Sequence, residues 1–378
     1  MKEKSTNNII IREIDKSDLD TIAKIVALHN KFRPPFDEKN FRTNDSLLWE
    51  CNGFDRDLAV YGIIEEEGNV IGTLGLIPVY VNVRGKKLLT GKRIMGLLHP
   101  DYRGSTFFID LYKFVLSKAK DKNMPFTWGF GSSSKTLGSR VGNRDYQGIM
   151  NESILVLNFR NALVEIFRER YRKKTQTFFL SLITPAAYSY SLLRTLFRKR
   201  RKLVNTSRFV IESRLRSSDD LVKFYQVLRE KYPGLIHLDQ DEAYINWRIS
   251  TNPTINYESY YLYEGNDLKC YFYVGTKDNV TLTLSDFAFY DIEAADYLLH
   301  EMLNKWRKKQ VAFIRYLGNM TNPLGLSIFE LLKQFGFLKI KRPDLVFLLQ
   351  NSSFEDEGHL DHAENWYLNG LWTEGMKY

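Results

Sequence analysis

The chain lacks the residues that build several kinds of site. Its 378 residues include two cysteines, Cys51 and Cys270, which excludes a disulfide scaffold and a cysteine-rich zinc site. Its six histidines never fall at HxxxH spacing, so no metal site is expected. The opening MKEKSTNNIIIREID has no apolar core of signal-peptide length, and the expected location is the cytoplasm. Low hydrophobicity is absent too: 44% hydrophobic and 26% charged residues exclude a largely disordered chain. Aromatic residues, in contrast, are abundant at 14%, which favours a packed fold with sheet content. At roughly 150 residues per domain, the length suggests two domains and a spacer.

The net charge of +9 is concentrated in one place. Residues 160–202 hold twelve Lys/Arg and two acids, Glu165 and Glu169, so the remainder is close to neutral. Within them, RERYRKK (Arg168–Lys174) leads into 19 uncharged residues, Thr175–Leu193, followed by RKRRK (Arg198–Lys202). Pro185 and several Ser/Thr break the apolar run, which is too polar to cross a bilayer. Two readings stay open for 168–202. One is a helical excursion packed on the protein's own surface; the other is an interfacial element at the inner face of a membrane, with basic flanks on anionic head groups. One clustered run without interleaved stacking aromatics argues against nucleic acid.

The chain is self-similar at long range. The strand IIIREI (Ile9–Ile14) is followed by Ser17-x-x-Asp20, read as a capping box, and by Leu19, Ile22, Ala23 and Val26 at helical spacing. The strand FVIES (Phe209–Ser213) is followed by Ser217-x-x-Asp220 and by Leu221, Phe224, Tyr225 and Leu228. Trp49 and Trp247 each precede a predicted hairpin, with turns at Glu67-Gly68-Asn69 and Glu264-Gly265-Asn266, where Gly-Asn is expected to supply positive φ. Strand Ile94–Leu98 and helix Phe107–Ala119 have counterparts in Leu282–Phe289 and Ala294–Trp306; strand Phe126–Phe130 matches Val311–Tyr316, and Gly142 matches Gly336. Each copy reads β, α, hairpin, β, α, β, α, β, a mixed α/β fold around one central sheet.

In this order of elements, the chain resembles the GNAT superfamily of acyl-CoA N-acyltransferases. The signature is Leu97-Leu98-His99-Pro100-Asp101-Tyr102-Arg103-Gly104-Ser105-Thr106 ahead of a helix starting Phe107-Phe108-Ile109-Asp110; the second copy, around Phe287–Asp291, has no such run. The resemblance implies two tandem GNAT-like domains, each a mixed central sheet flanked by helices. The expected spans are 1–157, holding the acyl-CoA, 158–205, the excursion, and 206–378, the acceptor side. Physical chemistry points the same way: unpaired N–H groups and the helix dipole make an anion site suited to a pyrophosphate, and Arg103 can add a charge-assisted bond. Acetyl-CoA is the expected co-substrate, with Leu98, His99, Arg103, Gly104, Ser105, Thr106, Phe107 and Gly129 as its binding residues and no metal. The chain departs from the family pattern at Thr106, where glycine is usual, and at Phe108, where a small residue is common.

Acyl transfer to an amine needs a polarised thioester carbonyl, a deprotonated amine and a stabilised thiolate. The resemblance assigns the first task to a backbone N–H near Leu98. The family's glutamate is missing from Arg93–Leu98, and Gly138 stands where its tyrosine is expected. His99, Tyr146 and Asp286 are the candidate replacements. His99 reads equally as a turn residue and Tyr146 as a packed rim; Asp286, inside an apolar strand, reads as an amine binder or as half of a salt bridge. The Trp247-Arg248 step is similar to tandem acyltransferases of bacterial surface-polysaccharide assembly, which implies a small-molecule amine acceptor, an amino sugar carried on a nucleotide or a lipid. Alternatives are an aminoacyl transferase of the Fem type and an inactive binding module.

Overall fold

The computed structural model describes residues 9–33, 41–53, 55–131, 140–170, 206–342, 345–351 and 353–373. Beyond Arg170 the basic excursion lies outside the described residues, as do Ser132–Ser134 and Gly138. Among the described residues no helix is long and apolar enough to cross a membrane, and no cluster of metal-ligating side chains occurs.

The first half runs β1 (Ile9–Glu13), α1 (Leu19–Phe32), α2 (Asn44–Asn52), β2 (Val60–Glu66), β3 (Asn69–Val83), β4 (Lys86–Leu98), α3 (Phe107–Asp121), β5 (Phe126–Gly131), β6 (Arg144–Tyr146), β7 (Met150–Val156) and α4 (Phe159–Arg170). The second half repeats the order. It runs β8 (Phe209–Glu212), α5 (Asp219–Lys231), β9 (Ile236–Leu238), α6 (Glu242–Ile245) continuing as a π-turn (Asn246–Ser250), β10 (Asn256–Glu264), β11 (Asp267–Thr276), β12 (Thr281–Phe289) and α7 (Ile292–Lys308). It ends with β13 (Phe313–Asn319), α8 (Pro323–Gln334), β14 (Leu338–Lys341), β15 (Val346–Asn351) and α9 (Glu357–Asp361). The fold is mixed α/β with two mixed sheets, as the repeat implied.

The helices form where apolar residues recur at helical spacing. Leu111, Tyr112, Val115 and Ala119 of α3 are buried on the first sheet. Asp18, rather than Ser17, caps α1: its carboxylate accepts from Thr21 N–H, while the Ser17 hydroxyl turns back to Asp15. The hairpin turns also differ from expectation. Glu67 and Gly68 carry the positive φ in the first, because Glu66 pairs with Asn69; in the second, Gly265 carries it at the first loop position.

Sheet membership does not follow chain order. The first sheet runs β1-β2-β3-β4-β5-β15-β6, with β9 also on β3, and the second runs β14-β7-β13-β12-β11-β10-β8. The halves thus exchange strands. β15, from the end of the second half, pairs with β5 along Phe126–Gly131; β7, from the first half, pairs with β13 from Met150 to Val156. The repeat landmarks Trp49 and Trp247 meet, with ring centroids 5.4 Å apart, as equivalent residues beside an approximate two-fold axis do. One continuous hydrophobic core runs from Ile14 in the first half to Trp372 in the second.

Candidate functional site

The site begins with a bulge in β4. Thr73 pairs with Leu97 and Gly75 with Ile94, so Met95 and Gly96 together oppose Leu74. Met95 takes φ +57°, a conformation unfavourable for a large side chain, so the surroundings must impose it. They do so through a buried relay: the Thr73 hydroxyl donates to the Met95 carbonyl (2.7 Å) and lies 2.8 Å from His29 Nε2 on α1. The single hydroxyl proton is used on Met95, so His29 Nε2 is the donor to Thr73.

Already before the bulge, the pairing of β4 with β5 ends. Their parallel pairing covers Gly91 with Thr127 and Lys92 with Trp128, and then stops. β5 stays in the sheet through β15. His99 N–H donates to Ile71 O (2.7 Å), and with Leu98 opposite Gly72 this is the pattern of a non-hydrogen-bonded antiparallel pair. The Leu98 N–H therefore points away from β3, toward the opening that β5 leaves.

The loop after β4 closes on itself and turns its amides outward. His99 Nδ1 accepts from Asp101 N–H (3.3 Å), and Pro100–Tyr102 form one 3-10 turn. The buried Tyr102 donates its hydroxyl to Glu66, tying the loop to β2. Gly104 has φ +92° and open space on its Cβ side, so glycine is required there by conformation rather than by packing. Ser105 N–H and hydroxyl both return to Tyr102 O. Among the described residues, the N–H groups of Gly104, Thr106, Phe107 and Phe108 meet no acceptor, and Thr106 supplies no side-chain cap to α3. The Arg103 guanidinium is exposed and makes no ion pair with them. Thr106 is exposed as well. The Phe108 ring lies across β4 at Gly96, 3.4 Å from where a Cβ would stand. Four free amides, a helix N-terminus and an unpaired guanidinium suit a pyrophosphate, and the ladder pairing of β4 with β5 has ended before Leu98.

The second half has lost both features. Asp291 caps α7 with its own carboxylate, accepting from Glu293 and Ala294 N–H, and so occupies the position an anion would take. β12 and β13 part after the Leu284–Tyr316 pair, but the last described segment fills the gap: Asn319 N–H donates to Leu368 O and Leu371 N–H to Ser285 O. A cavity of about 520 Å³ opens on this half between β10 and the π-turn, lined by Arg214, Ser250, Tyr257 and Lys305; neither Leu98 nor the loop after it contributes.

The expected residues are distributed unevenly. Leu98, His99, Arg103, Gly104, Ser105, Thr106 and Phe107 share the corner. Gly129 does not leave room for a ligand: a Cβ there would stand 3.1 Å from Arg93 O, and the space belongs to Arg93. The Arg93 guanidinium donates to Asn143 Oδ1 (2.6 Å) and Leu348 O (2.7 Å), and burial pushes its pKa down to about 9. Tyr146 spends its proton on Leu360 O (3.1 Å), and burial raises its pKa. Asp286 is fully buried; Gln240 (2.5 Å), Tyr271 (2.8 Å), Tyr367 (2.8 Å) and Asn369 (2.7 Å) all donate to it. Burial raises its pKa against those bonds. Four neutral donors enclose it, so it is neither an open amine binder nor half of a salt bridge. His29, Thr73 and Arg93 were missed, because nothing local in the sequence marks residues that act through partners 22 to 255 positions away.

Comparison with known proteins agrees with this geometry. Residues 11–142 match the family described as an acetyltransferase (GNAT) domain. No curated protein matches the chain in sequence. Among solved structures, a GCN5-related N-acetyltransferase from Anabaena variabilis is 14% identical, with TM-score 0.54 over 90% of this chain and 73% of that one. A tandem GNAT protein from the clavulanic acid biosynthesis pathway is 10% identical, with TM-score 0.54 over 92% of this chain and 100% of that one. The Saccharomyces cerevisiae N-myristoyltransferase, solved with bound myristoyl-CoA, is 12% identical, with TM-score 0.55 over 92% and 80%. The chain has the GNAT acyltransferase fold in its tandem form.

Proposed function

We propose that the protein transfers an acyl group, acetyl in the simplest case, from coenzyme A to an amine, with one thioester site in the first half and the acceptor presented from the second. The observation that carries the reading is the meeting of an outward-facing Leu98 N–H with a set of free amides at residues 104–108, where β4 and β5 part. The thioester supplies an acyl carbon open to attack by nitrogen. The N–H groups of Gly104, Thr106, Phe107 and Phe108 bind the pyrophosphate, with Arg103 adding charge. Leu98 N–H stabilises negative charge on the carbonyl oxygen and, being backbone, tolerates any side chain there. The His29–Thr73–Met95 relay holds the bulge that aims it. With His99 Nδ1 engaged as an acceptor, its Nε2 carries the ring proton and would hydrogen-bond the departing sulfur, which the proton released by the attacking amine then neutralises. For the acceptor, the Trp247-Arg248 step supports an amino sugar of a surface-polysaccharide precursor.

Calorimetric titration with acetyl-CoA tests the reading. Binding is expected, and Arg103→Ala should weaken it about tenfold, the worth of one charge-assisted hydrogen bond. No heat and no thermal shift at millimolar acetyl-CoA would remove the reading.

A further inference from the structure

Where the halves meet, buried hydrogen-bond donors outnumber the acceptors the described residues offer them. Arg248, on the π-turn, is 3% exposed. Its Nη2 donates to the neutral carbonyl of Thr373 (3.0 Å), its Nε is buried without a partner, and it makes no ion pair with any carboxylate among the described residues. The rings of Trp49 and Trp247 lie 5.8 Å from its guanidinium carbon. The indole N–H groups of Trp49 and Trp372 are also buried and unpaired. Lys92, at the last paired position of β4 before it leaves β5, donates to the same Thr373 carbonyl (2.9 Å), and Trp372 packs at a tilt against Trp128 opposite it, with centroids 4.7 Å apart.

A buried guanidinium that faces no anion is costly, because burial removes hydration and one neutral carbonyl does not replace it. Arg Nε–H and two indole N–H groups can only donate. Their chemical complement is a group that only accepts and carries negative charge. The Nε and Nη2 protons lie along one edge of the guanidinium, the spacing that suits a carboxylate. The cluster adjoins the end of the β4–β5 pairing, where the reading above places the thioester, and half-buried Trp49 forms its outer wall.

We infer that the acceptor amine also bears a carboxylate, and that Arg248 binds it between the aromatic walls of Trp49 and Trp247. The inference rests on the acyltransferase reading and narrows its substrate class to carboxylate-bearing amines, sugars included.

Matched amines provide the test: phenylalanine against phenylalaninamide, and muramic acid against glucosamine. Tryptophan fluorescence of the whole protein reports binding without turnover, because Trp49 and Trp247 flank Arg248. The carboxylate member of each pair is expected to bind at least tenfold more tightly and to show the higher kcat/KM. Arg248→Lys should cut that preference severalfold, since it keeps the charge and loses the planar edge. Trp49→Phe, which shrinks one of the two walls, should reduce it as well without unfolding the chain. Equal binding within both pairs, or a preference that survives both substitutions, overturns the inference. Acetyl-CoA binding is measured on the same samples: its absence removes the acyltransferase reading, whereas acetyl-CoA binding without a carboxylate preference removes this inference alone.

Discussion

Thr73 illustrates how much one hydroxyl can control. It joins α1 to the bulge through His29 and Met95, and no other group in the relay both accepts and donates. Thr73→Val keeps the shape but removes the hydroxyl's bonds to His29 and to the Met95 carbonyl, which should cost about 2 kcal/mol. Chemical denaturation would read that loss. Titration of the variant should show weaker acetyl-CoA binding by several-fold, since the Leu98 amide is aimed from this bulge. His237 makes a second prediction. It is buried, stacked on Tyr225 at 3.8 Å, and burial lowers its pKa to about 3. In the folded chain it stays neutral where the unfolded chain, near pKa 6.5, takes up a proton. Its contribution to stability is therefore complete above pH 6.5 and is lost as pH falls toward 3, at about 1.4 kcal/mol per pH unit. His237→Phe, which retains the stacking, should flatten the fall in melting temperature between pH 7 and 5; an unchanged slope would rule His237 out as its source.

At the level of elements, the two helix N-termini that follow β4 and β12 have opposite fates. α3 leaves its first amides open, whereas α7 spends them on Asp291. The two strand ends differ in the same way: the second is bridged by Leu368–Leu371, whereas no described segment hydrogen-bonds the Leu98 N–H. Calorimetry should therefore give one acetyl-CoA per chain, and a stoichiometry of two would contradict this account of the second half. Much of this layer was legible in the sequence. Gly104 and the run around it stand directly before α3, and Gly68 and Gly265 mark tight turns, because such signals act over a few residues. The bulge was not legible: it carries positive φ on Met95 rather than on a glycine, and the residues that impose it come from α1 and β3. Asp286 was conspicuous as a carboxylate in an apolar strand, but its four donors come from separate stretches of chain and no local pattern reveals them.

For the whole molecule, the repeat announced two similar units, whereas the exchange of β7 and β15 is invisible to any local pattern, since strand pairing between distant segments depends on tertiary packing. Lys87 adds a bridge between the halves, binding Asp241 (2.7 Å) and Asp239 (3.4 Å), and β9 extends the first sheet. With a main core shared between the halves and traded strands, thermal unfolding should show a single transition by both calorimetry and circular dichroism. Chain fragments 1–157 and 206–378, expressed separately, should aggregate, because each lacks a strand that its sheet requires; soluble, cooperatively folded fragments would refute this.

The exchange of β15 also bears on biosynthesis. The edge of β5 emerges from the ribosome more than two hundred residues before the strand that covers it. Through that stretch of translation the nascent first sheet presents an open border, the kind of edge that chaperones protect, until β15 appears.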